Sequence, residues 1–257
     1  MEFLNRSVLR NTLLSLLSEG LRAVDGERRV FDSLNNVSQQ DLHLIAVGKC
    51  AVAMASGAYR ACGEKIASSF IVTKDEVFDV ALNQYPQVSF MRSSHPVPDE
   101  RSLAAGDALL QYIASTPSRA NMLLLISGGT SSLVDVLPDG ITLDHVQKIN
   151  QWLLAHHYSI HEINAVRKRL SRIKGGGLLH YLGKRHCEVK LISDVPGDVA
   201  ASIGSGWCLP SSKEFDIPHG LPDWVHQLLT KQPALKQVAS SSIHSEIIAS
   251  NNFAMYR

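Results

Sequence analysis

The first stretch of the chain places Leu4, Val8, Leu14, Leu17, Leu21 and Val24 at helical spacing, which predicts one amphipathic helix over 4–24. Residues 25–40 are polar and turn-rich. From there a theme repeats: an apolar, β-rich run, a turn holding Gly or Ser, then a helical stretch. The runs are 42–47 (LHLIAV), 70–73 (FIVT), 88–92 (VSFMR), 122–126 (MLLLI), 189–192 (VKLI) and 246–249 (EIIA). LHLIAV and MLLLI are almost continuously apolar, the signature of central parallel strands covered on both faces. Helical stretches fall at about 50–62, 98–115, 142–157 and 161–173, with a further start at Leu178. Alternating β and α predicts an α/β fold: a doubly wound, mostly parallel sheet with helices on both faces. Ligands then bind at the carboxyl ends of the strands, near a topological switch point.

Residues 205–245 break the pattern with Pro210, Pro218, Pro222, Pro233 and the serine run at 240–242, and 224–229 is their best helix candidate. The chain therefore reads as one domain over 1–257. It comprises a helical segment at 1–40, a core at 41–204, and a Pro/Ser-rich excursion with a return strand at 205–257.

Composition narrows the function classes. With 25 Lys+Arg against 24 Asp+Glu the formal charge of the 257 residues is +1, which argues against a dedicated nucleic-acid or polybasic membrane-surface protein. No apolar run approaches the roughly 20 residues that span a bilayer. Charges at Glu2, Arg6 and Arg10 interrupt the start, so no signal peptide is read there. Cys50, Cys62, Cys187 and Cys208 form no CxxC and no zinc spacing, and fit reduced thiols in a cytoplasmic protein.

Candidate chemistry sits at the strand ends. After the first run comes Gly48-Lys49-Cys50, and a Lys in the first turn of a helix opposes the local dipole. Either Lys49 meets an anionic ligand there, or it snorkels at the surface. After the fourth run, Ser127-Gly128-Gly129-Thr130-Ser131 has the composition of a phosphate nest, or of a plain turn with a helix cap. It is not a Walker A loop. In 162–177, Asn164, Arg167, Lys168 and Arg172 share roughly one helix face ahead of Lys174-Gly175-Gly176-Gly177. That suits phosphate or carboxylate recognition as well as a solvated basic helix. Asp194 and Asp198 could hold Mg²⁺ or simply form a Pro-Gly turn. His95, before Pro96, could contact substrate, serve as an acid/base, or pack at a strand end.

The segments VGKCAVAM, SSHPVPDERSLAAG, LLLISGGTSSLVDVLPDGITLDH, IHEINAVRKRLSRIKGGGL and LISDVPGDVAASIGSG occur in this order over about residues 45–206. The ordered set resembles the glycerate 2-kinase family whose members carry a C-terminal MOFRL domain, some of them named hydroxypyruvate reductase. The resemblance implies a Rossmann-like N-terminal domain and ATP-dependent phosphorylation of D-glycerate at its 2-hydroxyl, with a divalent cation. It carries over Lys49 as an active-site residue, with the SGG turn, the NAVRK helix, the KGG loop and Asp194/Asp198 lining the cleft. The expected partners are a small hydroxy acid and a nucleotide; a homodimer is also compatible.

The family's C-terminal domain is expected to be absent from this chain. Trp207, Cys208 and Ser211 stand where the family usually has Pro, Thr and Asp, and Gly129-Thr130 replaces a more usual Gly-Gly or Gly-Ala pair. Two other functions compete with this one. An NAD-dependent reductase needs GxGxxG after the first strand, and GKCAVAMASG lacks it. A non-catalytic relative would bind a nucleotide or an anionic metabolite without turnover.

Overall fold

The structure is a computed structural model that describes residues 6–34, 39–74, 80–85, 87–209, 217–232 and 243–255. Two helices open it, α1 (Arg6–Ala23) and α2 (Gly26–Ser33). The core follows as β1 (Leu42–Val47), α3 (Ala51–Cys62), β2 (Ile66–Thr73) and β3 (Val88–Arg92). Then come α4 (Glu100–Ser115), β4 (Asn121–Ile126), α5 (Thr130–Leu133), α6 (Leu143–Ala155), α7 (Ile160–Arg169) and α8 (Leu178–Leu182). The last elements are β5 (His186–Ile192), α9 (Asp223–Thr230), β6 (Ile243–Ala249) and α10 (Asn251–Met255).

All six expected strands are present. They form one sheet in the order β3-β2-β1-β4-β5-β6, with every pairing parallel. The side-chain period of two divides each strand between two cores. Ile45, Val47, Leu124, Ile126 and Val189 face α4, α8 and Trp207. Leu44, Ala46, Leu123, Leu125 and Ile248 face α2 and α3. That division explains the unbroken apolar runs at β1 and β4. A third, all-helical cluster joins α6, α7 and α9 through residues such as Ile149, Val166 and Val225.

Three expectations are corrected. The polar stretch at 25–40 contains α2, because Asp25 caps it by accepting from the Arg28 N–H at 2.8 Å. The helix expected to run to 173 ends at Arg169. The Arg172 N–H donates instead to the Val136 carbonyl at 2.8 Å, and the Ser171 hydroxyl accepts from the N–H groups of Ile173 and Lys174. Arg172 therefore leaves the face that holds Asn164, Arg167 and Lys168. Finally, α1 forms as expected but buries none of its residues, and Leu13, Leu16, Leu17 and Leu21 are each more than half exposed. The 210–211 step and the serine run at 240–242 lie outside the described residues.

Arg185 ties the helix layer to the sheet. Its Nε donates to the Thr116 hydroxyl at 2.8 Å, and Nη2 donates to the carbonyls of Ile113 and Thr116, both at 2.8 Å. Nη1 reaches the carbonyls of Tyr181 and Leu182 at 3.4 and 3.2 Å. One buried cation thus satisfies the last carbonyls of α4 and α8, where the helix dipoles favour it. Arg185→Met nearly keeps the volume but removes the guanidinium's donors, although the Ile113 and Leu182 carbonyls keep backbone partners. We expect a loss of about 2–4 kcal/mol in urea unfolding, and an unchanged midpoint would refute this role.

Candidate active site

Strands β1 and β4 are neighbours, and the chain leaves them toward opposite halves of the sheet. The crevice above their carboxyl ends is the topological switch point. Here the two turns are held tightly together. The Lys49 N–H donates to the Gly128 carbonyl at 2.9 Å, and the Ser127 N–H donates to the Val47 carbonyl at 3.1 Å. The Cys50 N–H donates to the Ser127 hydroxyl at 3.1 Å. The Thr130 hydroxyl lies 2.8 Å from the Val47 carbonyl and 2.7 Å from the Ser127 carbonyl. Gly48 permits this approach: its φ is +134°, and a Cβ there would sit 2.1 Å from the Ser127 Oγ.

Above this floor the side chains converge. The Lys49 Nζ lies 3.8 Å from Asp194 Oδ2, and both side chains are about half exposed, so the pair is loose and open to a ligand. A Cβ on Gly128 would stand 2.0 Å from Asp194 Oδ2. A Cβ on Gly129 would stand 3.0 Å from the His95 ring and 3.2 Å from Lys49 Cγ. Lys49, His95, Asp194 and the two glycines therefore border one space. Among the described residues the N–H groups of Gly128 and Gly129 make no backbone hydrogen bond. Partial burial, together with the nearby Lys49 and Lys74 ammonium groups, holds the His95 imidazole below its ordinary pKa against the opposing pull of Asp194. At neutral pH it is an uncharged ring with one nitrogen able to accept a proton.

The other candidates sit further out. Ser131 and Ser205 share a hydrogen bond at 2.8 Å, and the Ser205 hydroxyl donates to Asn164 Oδ1 at 3.3 Å, linking α7 to the SGG turn. The Arg167 Nε donates to Asn150 Oδ1 at 2.8 Å. The Lys168 Nζ donates to the Ala201 carbonyl at 3.3 Å, and burial lowers its pKa to about 8.

Several candidates have structural employment instead. The Ser127 hydroxyl accepts from the Cys50 N–H and the Thr130 hydroxyl faces two carbonyls, so both brace the floor. Lys174 is buried and ion-paired with Asp135, which also accepts from the Ser171 hydroxyl at 2.5 Å. The N–H groups of Gly175 and Gly176 donate to the carbonyls of Ser205 and Gly206 at 2.9 and 2.7 Å. The KGG loop thus clamps the 205–206 turn. Asp198 adopts a left-handed φ of +50° and accepts from Asn252 at 3.0 Å. Hydroxyl donation, first from Ser193, keeps its carboxyl below the usual pKa. Trp207 and Cys208 are buried in the core, so the unusual residues of that turn pack inward.

Sequence reasoning missed Asp135, Asn150, Ser205 and Asn252. Asp135 had a readable signal, being a lone carboxylate inside the apolar stretch 133–137.

A family model described as a domain of unknown function, DUF4147, matches residues 12–221. The chain belongs to the DUF4147 family. D-glycerate 2-kinase of Thermotoga maritima is 32% identical over 204 residues, covering 79% of this chain and 48% of that protein. An Agrobacterium vitis protein with the provisional name hydroxypyruvate reductase is 33% identical over 198 residues, covering 77% of this chain and 44% of its own. The crystal structure of glycerate kinase from Thermotoga maritima superposes with a TM-score of 0.83 at 27% identity, covering 96% of this chain and 60% of that one. The chain therefore spans about half the length of the curated relatives it matches, and its fold is theirs.

Among the described residues the four cysteines are free, no group of three or more His, Cys, Asp or Glu could hold a metal ion, and no helix is long and apolar enough to cross a membrane.

Proposed function

We propose that this DUF4147 chain carries the phosphate-handling half of a glycerate 2-kinase, which transfers the terminal phosphoryl group of ATP to the 2-hydroxyl of D-glycerate. The observation that carries the reading is the exposed Lys49 ammonium standing over the Gly128-Gly129 turn at the switch point, with Asp194 beside it. The names of the curated glycerate 2-kinase relatives support it. Residues 41–204 are read as the core that holds this machinery.

Phosphoryl transfer asks a protein mainly for positioning and charge neutralisation. The Lys49 ammonium and the N–H groups of Gly128 and Gly129 offset the negative charge on the phosphoryl oxygens. The 2-hydroxyl oxygen forms the new P–O bond as the bond to ADP breaks. The hydroxyl proton passes to the neutral His95 ring. A divalent cation of the Mg²⁺ type needs only one or two protein carboxylates when phosphates supply the rest. The solvent-facing Asp194 fits that demand. Asp198, engaged by Asn252, fits it less well. Held there, such an ion would supply positive charge against the phosphate oxygens. Arg167 is read as the partner of the glycerate carboxylate, with Lys168 contributing positive charge nearby.

The test is ADP release from ATP with D-glycerate, with ³¹P NMR identifying 2-phosphoglycerate. Nucleotide binding without turnover would replace the reading with that of a non-catalytic binder. NADH oxidation by hydroxypyruvate would replace it with a reductase.

A pH dependence follows from Lys168. Its charge is lost as pH rises through about 8, and attraction for an anionic substrate goes with it. We expect kcat/KM, which reports free-enzyme groups, to fall about tenfold per pH unit above that value. Lys168→Arg, cationic throughout, should flatten the alkaline limb. A profile unchanged between the two proteins would remove Lys168 from the site.

A further inference from the structure

Arg167 is a partly buried guanidinium whose surroundings oppose its charge. Burial is the chief influence on it and lowers its pKa; only the field of Asp135 acts the other way. Asp135 itself is committed to Lys174 and Ser171. Among the described residues, Arg167 has no ion pair and one hydrogen bond, from Nε to the neutral amide oxygen of Asn150. A guanidinium has five N–H donors, so the two Nη groups keep four that this protein does not use. A desolvated cation left in that state is costly, and a planar carboxylate engaging the Nη edge in bidentate fashion would relieve it.

Its neighbours favour this direction. Arg167 lies one helical turn beyond Asn164, whose side chain reaches the SGG turn through Ser205 and Ser131. Asn150 comes from α6, whose Gln147 Nε2 donates to the Pro98 carbonyl at 2.8 Å, beyond the His95-Pro96 step. The Lys168 ammonium, by contrast, already donates to the Ala201 carbonyl and offers a point charge rather than a fork.

We propose that Asn150 is a positioning residue that grips Arg167 by Nε and so presents its Nη edge to the carboxylate of a small hydroxy acid. This selects acids over the matching neutral polyols. The proposal rests on the kinase reading for its substrate class and for Arg167 as the carboxylate's partner, and adds what aims that cation. Asn150 binds only one side of the guanidinium and brings no charge. An Asp at the same place would pair with the cation in advance and repel the incoming carboxylate.

The experiment compares wild type with Asn150→Asp, Asn150→Thr and Arg167→Lys, each with its melting temperature measured. Under saturating ATP, Asn150→Asp is expected to raise KM for D-glycerate at least tenfold. Its kcat should change less than threefold, and its KM for ATP should not move. Asn150→Thr, whose shorter hydroxyl loosens the grip on Nε but brings no charge, is expected to raise the glycerate KM less than Asn150→Asp does. In a second readout, D-glycerate raises the melting temperature of wild type while glycerol does not, and Asn150→Asp loses that rise.

A glycerate KM unchanged in Asn150→Asp overturns the proposal, as does a loss confined to melting temperature. Wild type that binds glycerate without turning it over leaves the proposal standing and sinks the kinase reading. Wild type that binds neither glycerate nor ATP sinks both.

Discussion

Lys49→Ala is expected to lower kcat/KM for phosphorylation of D-glycerate about 10³-fold, roughly 4 kcal/mol of transition-state stabilisation. The ammonium stands where three strand ends meet: its own after β1, Gly128 after β4 and Asp194 after β5. Charge builds on the phosphoryl oxygens during transfer, and removing the ammonium that stands over the Gly128 and Gly129 N–H groups leaves more of that charge to solvent. The side chain is about half exposed and its pairing with Asp194 is loose, so the fold should not suffer. The melting temperature should stay within a degree or two. Lys49→Arg keeps the charge but spreads it over a plane, and should recover only part of the rate. Steady-state kinetics on the three proteins checks this, and equal turnover in Lys49→Ala would remove the residue from the chemistry.

Lys174→Met should do the opposite, costing stability first. Lys174 and Asp135 are both buried and paired, so truncating one side leaves an ionised carboxylate in the interior. The expected loss is about 3–5 kcal/mol in urea unfolding. The double variant Lys174→Met, Asp135→Leu should regain part of it, because the stranded charge is gone, although Ser171 then loses its acceptor. A single-variant loss below about 1 kcal/mol would show that the pair carries little. The Lys174 amine ends on Asp135, so activity should change through the unfolded fraction and through the stronger field of the freed Asp135 carboxylate on Arg167.

These two lysines show what a sequence can and cannot reveal. Lys49 follows a glycine and Lys174 precedes three, each at the end of a regular segment, and both read as anion-binding. The backbone separates them. Gly48 and Gly128 let two turns close on each other, leaving Lys49 above the seam. Gly175 and Gly176 take positive φ so that their N–H groups can reach the 205–206 turn, and a Cβ on Gly177 would meet the Arg172 carbonyl at 2.2 Å. A cation beside glycine looks the same in either setting, because the partner that decides for Lys174, Asp135, lies 39 residues away. The strands were legible because double burial writes itself as unbroken Val, Leu and Ile. Helix α2 was not, since eight residues with two apolar side chains give no period, and its cap at Asp25 was the available mark. Asn150 was hidden for a similar reason: one amide on a helix has no pattern until its partner is seen.

Trp207 has a practical consequence. Its indole is wedged between the strand layer and the clamped 205–206 turn, 1% exposed, whereas Trp224 is 41% exposed. An indole in such dry surroundings emits at shorter wavelength than one facing water, so the three tryptophans do not report alike. The blue side of the emission band follows the core around Trp207, and the protein carries its own optical gauge of whether that core stays dry.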